Sequence, residues 1–224
     1  MRRRSLDLGT AGVLATSIVL GACGGSPLES APPPAPAETF AATRWSFDQD
    51  PAGPVPSGMS VFSGRWAVRA EAGTPSAPNA LCQTATAEFP ALQLSSELHR
   101  DMAVSARFKP ISGREDQAGG VLLRVRDAKN YYIVRANALE GNVVIFKYVD
   151  GRRSEIKSGA ATVPSGTWQL LRAEAIGTRI RGYLGGTLVV EGEDSTFSEG
   201  GAGLWTKSDS VTCFDDVVLG PVGG

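Results

Sequence analysis

Gln117 to Asn137 reads QAGGVLLRVRDAKNYYIVRAN, and this stretch decides the fold. Val121, Leu123 and Val125 alternate with Leu122, Arg124 and Arg126. A period of two sends successive side chains to opposite faces of a sheet. Asp127-Ala-Lys-Asn130 carries turn chemistry, because Asp and Asn bond their own backbone and tolerate unusual dihedrals. Tyr131 to Asn137 returns as the partner strand, with Tyr131, Ile133, Arg135 and Asn137 on one face and Tyr132, Val134 and Ala136 on the other. A hairpin required only for architecture has no use for Arg124, Arg126 and Arg135 so close together. That cluster is the leading functional feature.

The same alternation extends both ways along the chain. On the N-terminal side, Met102, Val104, Ala106 and Phe108 alternate with Ala103, Ser105, Arg107 and Lys109. Before them, 43–47, 64–68 and 79–85 read as short strands, 89–94 as a short apolar segment, and 48–58 as a loop whose Pro and Gly bar both helix and ladder. On the C-terminal side, 142–149 is a strong strand with Val144, Phe146 and Tyr148 on one face. Asp150-Gly151 is a two-residue hairpin signal, and 152–157 pairs back. A meander over 167–190 follows, and 201–207 and 211–219 close the domain. Roughly thirteen short strands without an amphipathic helix predict an all-β, two-sheet antiparallel sandwich. The chain has 224 residues and a formal net charge of −1, so there is no electrostatic basis for nucleic-acid binding.

The N-terminus reads as an address. Arg2, Arg3 and Arg4 form a positive region, and Leu8 to Leu20 a short apolar one, too short for a membrane span. Leu20-Gly21-Ala22-Cys23 resembles the lipobox of bacterial lipoproteins, in which the cysteine becomes the lipidated first residue. An ordinary cleaved signal is the alternative. Residues 1–23 are thus predicted to be the signal, 24–42 a Pro- and Ala-rich linker of extended character, and 43–221 the folded domain. By the same resemblance, Gly24 after the cysteine favours the outer membrane, with membrane contact through the lipid only. Lipidation of Cys23 leaves Cys82 and Cys213. In an oxidising compartment an even remainder predicts a disulfide, with two separate buried thiols as the alternative.

The segment DQAGG-strand-RVRDAKNYYIVRAN, the meander GTWQLLRAEAIGTRIRGYLGG and the closing GLWTKSDS…FDDV resemble the concanavalin A-like lectin/glucanase superfamily. Within it the chain is similar to exported laminin-G-like jelly rolls and to domains named for 3-keto-disaccharide hydrolysis. The resemblance covers Trp45 to Val218. It implies two stacked antiparallel sheets, carbohydrate in the groove of a concave one, and chain ends that meet in adjacent strands. It also implies a structural Ca²⁺ near those strands, for which Asp48, Asp50 and Asp216 offer oxygens. A turn Asp and a capping Asp are the plain alternative.

The chemistry available is that of binding. Glycoside hydrolysis needs two carboxyl groups in a cleft, one of them raised in pKa. The Glu-x-Asp-x-x-Glu strand pattern of laminarinase-type members is absent. The one histidine, His99, gives no basis for a catalytic triad and is read as a turn or surface residue. By strand parity Arg107, Arg124, Arg135 and Lys147 occupy polar faces. If their strands share a sheet, the four line one surface that suits an anionic or hydroxyl-rich ligand. Tyr131 and Trp205 then stack on sugar rings, while Gln117, Asn137 and Lys207 bond hydroxyls. The alternative is a solvated face with ion pairs to Glu140, Asp127 and Glu174. The expected function is glycan binding in the groove. A hydrolase is the second reading, favoured by two groove carboxylates within about 10 Å of each other, and a structural envelope module is the third.

Overall fold

The computed structural model describes residues 39–223. The signal segment 1–23 with Cys23, and most of the linker, lie outside them. In chain order the strands are β1 (Thr43–Trp45), β2 (Gly53–Pro54), β3 (Ser60–Ser63), β4 (Trp66–Ala70), β5 (Asn79–Gln83), β6 (Ala91–His99), β7 (Met102–Ser112) and β8 (Ala118–Asp127). Then come β9 (Asn130–Asn137), β10 (Asn142–Val149), β11 (Arg152–Ala160), β12 (Gln169–Ile176), β13 (Arg179–Leu184), β14 (Thr187–Glu193), β15 (Gly200–Trp205) and β16 (Val211–Gly220).

The strands form two antiparallel sheets. The nine-stranded sheet runs β14-β13-β12-β7-β16-β5-β4-β2, with β1 also paired to β16, so the first and last strands meet. The seven-stranded sheet runs β11-β10-β9-β8-β15-β6-β3. The core lies between them. Met102, Val104, Ala106 and Phe108 of β7 join Val121, Leu123, Tyr132, Val134, Val143 and Ile145 of the facing sheet in one buried cluster. Each such side chain fully removed from water contributes about 1.5–3 kcal/mol. The expected Asp150-Gly151 turn forms with φ of 50° and 79°, positive at both central residues as a type I′ hairpin turn requires. It fixes the register Tyr148↔Arg153.

Gly119 and Gly120 lie inside β8. A Cβ on Gly119 would run into the Phe108 ring of the opposite sheet, so the close approach there requires glycine. The apolar segment 89–94 is the start of the nine-residue β6, whose alternation is blurred by register shifts against both neighbours. The 48–58 loop contains the short edge strand β2, where a proline is tolerated because an edge residue need not donate to a ladder. His99 is buried and stacks on Phe40, with ring centroids 3.7 Å apart, instead of lying on the surface.

Candidate ligand-binding face

The seven-stranded sheet has a second apolar cluster on the face turned away from the core. Leu122, Val125, Tyr131, Ile133, Val144, Phe146 and Trp205 pack there, with Phe62, Phe89 and Tyr148 against them. A flat outward sheet face would leave such side chains wet, yet Trp205 and Leu122 are 0% exposed and Tyr131 is 1% exposed. This face is therefore recessed. Its rings interlock: Tyr131 stacks on Tyr148 at 4.9 Å, and Phe89 stacks on Trp205 at 5.7 Å. The Arg153 guanidinium, brought over by the β10–β11 hairpin, lies 4.5 Å from the Phe146 ring centroid, 4.6 Å from Phe89 and 5.7 Å from Trp205.

Register builds the polar part. One row across the sheet reads Ala91, Trp205, Gly120, Arg135, Val144. Gly120 leaves a gap between Trp205 and Arg135; a Cβ there would sit 3.1 Å from the Val134 carbonyl oxygen and 3.3 Å from the Arg135 Cβ. Arg135 donates through Nη1 to Asn142 Oδ1 at 2.8 Å and through Nη2 to Glu140 Oε2 at 3.0 Å. Lys207 donates to Glu140 Oε1 at 3.2 Å and to Asp116 Oδ1 at 3.0 Å, and Asn137 Nδ2 reaches the same Asp116 oxygen at 2.7 Å. The loop carrying Asp116 is itself fixed by Asp209, whose carboxylate accepts from the backbone N–H groups of Arg114, Glu115 and Asp116. Burial alone would raise the Glu140 carboxyl, but the charge of Arg135 and hydrogen bonds from Arg135, Asn142 and Lys207 hold it down at about 2. Glu140 is ionised at any physiological pH.

Three buried donors on this one face find no protein partner: Arg135 Nε, an Arg153 Nη and the Trp205 indole Nε1. A buried donor left unpaired costs about 1–3 kcal/mol unless water pairs with it.

No family model matches the chain. A levanase of Bacillus subtilis (strain 168) is 32% identical over 127 residues, which is 55% of this chain and 18% of the levanase. The chain thus spans under a fifth of that relative's length. Among solved structures, the carbohydrate-binding module CBM66 from Bacillus subtilis aligns with a TM-score of 0.62 and 25% identity, over 73% of this chain and 95% of the module. A β-glucanase from Bacillus licheniformis aligns with a TM-score of 0.57 and 10% identity, over 82% and 99%. The domain is a concanavalin A-like β-sandwich.

Within that concanavalin A-like frame, the expected site residues separate. Arg135, Asn137, Tyr131, Trp205 and Lys207 belong to the recessed face, but Tyr131 and Trp205 form its floor and offer no open ring to a sugar. Gln117 lies at its end, where its backbone N–H donates to Asn137 Oδ1. The other three cations go elsewhere, which corrects the expectation of one basic surface. Arg107 is in β7 and points outward from the opposite sheet. Lys147 shares the core-side face with Tyr132, and both bond Asp194. Arg124 has φ of 50° at an irregularity between Leu123 and Asp127, which turns it off the outer face. There it is buried and donates to the carbonyls of Arg100 and Phe197. The expected Arg172–Glu174 ion pair forms, at 3.0 Å.

Asp48, Asp50 and Asp216, the residues expected to offer oxygens to calcium, form no side-chain grouping within 4.8 Å of one another among the described residues. Among the described residues, the one grouping of potential metal ligands within 4.8 Å is Glu71, Cys82 and Cys213, and both cysteines are committed to a disulfide. Asp215, beside Asp216, accepts from Ser76 instead.

Arg153, Asp116, Glu140, Asn142, Phe89, Phe146 and Tyr148 were missed as site residues. Arg153 had a usable signal: two residues of Asp-Gly turn put it directly opposite Tyr148, on the face already assigned to Phe146.

Proposed function

We propose that this domain binds a carbohydrate on the recessed outer face of its seven-stranded sheet, with Arg135, Arg153, Lys207, Asp116 and Asn142 as the contacting groups. The observation that carries the reading is the convergence of Arg135, Arg153, Lys207, Asp116 and Asn142 on one face above an aromatic floor. Sugar ring oxygens and hydroxyls suit such a set of convergent polar groups. Similarity to a carbohydrate-binding module across 95% of that module's length, and to part of a levanase, supports it. Asp116 and Glu140 share the Lys207 ammonium, so the face holds two close carboxylates, the feature expected of a hydrolase. Their pairing removes the chemistry: a general acid needs a raised pKa, and Glu140 is driven the other way. Binding without hydrolysis is the reading we adopt.

Lys207→Ala is expected to weaken glycan binding by about 1.5–3 kcal/mol, roughly ten- to a hundred-fold, in calorimetric titrations against the glycan selected on an array. Arg107→Ala, on the opposite sheet, is expected to leave the affinity unchanged. Equal losses from the two would move the site off this face.

We also place the protein at a bacterial envelope, held by lipid on Cys23 and a linker over 24–42. The support is the Leu20–Cys23 sequence. Cys23→Ser is expected to shift the protein from the membrane to the soluble fraction. Unchanged fractionation and mature mass would refute the anchor.

A further inference from the structure

We infer that the ligand carries a carboxylate, and that Arg153 is the residue that receives it. The inference rests on the binding face proposed above and names the chemical class of its ligand.

The first argument concerns what an arriving sugar would touch. Binding of a neutral sugar by stacking calls for an open aromatic plane. The large exposed hydrophobic residues of the described domain are Val61, Leu98, Leu139, Ile176 and Leu188, none of them aromatic. On the recessed face, Trp205 is fully buried, and the Arg153 guanidinium lies over Phe89, Phe146 and Trp205. Three rings hold that guanidinium flat. Phe89 and Tyr148 keep only part of their rings exposed, and the Arg153 guanidinium covers much of the remaining aromatic patch.

The second argument is charge. Lys207 is neutralised by Asp116 and Glu140, and Arg135 by Glu140. Arg153 has no ion pair and no hydrogen bond with any described residue, and one of its Nη atoms is buried without a partner. Burial, and then the positive charge of Arg135, both work against its protonated form; Asp116, Glu140 and the exposed Glu88 oppose them only from a distance. Arg135 leaves its own Nε unpaired in the same recess. A half-buried guanidinium with a like charge beside it and no counter-ion is unfavourable for the free protein. A planar carboxylate satisfies it through paired N–H···O bonds, the geometry for which a guanidinium is shaped. The class indicated is a uronate or another carboxylate-bearing sugar.

The test uses the full-length chain and a panel of polygalacturonate, alginate and hyaluronan, each compared with its carboxyl-reduced, neutral form. Binding is read by calorimetry. At least one acidic form is expected to bind, and carboxyl reduction to weaken it by about ten-fold or more. Arg153→Gln should abolish the difference between the two forms. Arg153→Lys, which keeps the charge and loses the fork, should retain part of it; circular dichroism would confirm that both variants fold. Acidic and neutral forms bound alike, or a preference that survives Arg153→Gln, would overturn the inference while leaving the face as a neutral glycan site. Failure of every glycan, acidic and neutral, would overturn the inference and the proposed function together.

Discussion

Arg124→Ala is expected to lower folding stability by about 3–5 kcal/mol, the cost of breaking a buried, hydrogen-bonded charge arrangement. For a domain of this size that is a fall of roughly 10 °C in melting temperature. Arg124 is 1% exposed. Its Nε and Nη2 reach the Arg100 carbonyl oxygen at 2.9 and 2.6 Å, and its Nη1 reaches that of Phe197 at 2.8 Å. One planar fork thus ties the turn after β6 to the segment before β15. Alanine would leave both carbonyls short of a donor and open a cavity the size of the side chain. Lysine should recover only part of the loss, because one ammonium cannot reproduce the fork that spans both carbonyls. Glycan affinity should not change, since Arg124 does not face the binding recess. Urea denaturation of the variant decides the matter: a midpoint within experimental error of the parent would refute the structural role.

The same residue shows where sequence reasoning stops. Strand, turn and strand over 117–137 were legible because alternation and the Asp-Asn turn are local signals. Strict alternation, however, puts Arg124 on the outer face with Leu122. The irregularity between Leu123 and Asp127 breaks the count, so that Val125 joins Leu122 on the outer face and Arg124 turns away from it. A bulge costs the sequence one residue of phase, and nothing in RVRD announces it. Parity was also applied across strands that lie in different sheets. Arg107 and Arg135 are both on polar faces of their own strands, but β7 and β9 belong to opposite sheets, so their side chains point away from each other.

The proposed binding face was half legible for a related reason. Arg135, Asn137 and Trp205 fall within strands whose alternation survives, and the register puts Trp205, Gly120 and Arg135 on one row, while Lys207 joins them through Asp116 and Glu140. Arg153 was lost because its role comes from rings contributed by three separate segments, at Phe89, Phe146 and Trp205. Only the closed sheet brings those into contact. Asp116 precedes β8 and carries no strand alternation to mark it. Its position depends on Asp209, 93 residues further along, gathering the backbone N–H groups of the loop.

Removing the disulfide is expected to have the other large effect. Cys82 and Cys213 are joined, as the cysteine count predicted, across directly paired positions of β5 and β16. The bond closes a separation of 131 residues, the larger part of the domain. For a loop of that length the chain-entropy model gives roughly 4–5 kcal/mol, acting on the unfolded chain. Cys82→Ala with Cys213→Ala should therefore lose stability of that order while keeping the same pairing of β5 and β16, since the ladder bonds are backbone bonds. The urea m-value should rise, because an uncrosslinked chain exposes more surface on unfolding. Both sulfurs are fully buried on the outer face of the nine-stranded sheet, with Ile111 and Trp168 packed against them and Arg69 donating to Cys213 Sγ at 3.5 Å. A thiolate can attack only a sulfur it can reach. Dithiothreitol should accordingly leave the folded domain intact and act as it unfolds, shifting the urea midpoint of a long-incubated sample toward that of the double variant. A double variant within about 1 kcal/mol of the parent would refute stabilisation through constraint of the unfolded chain.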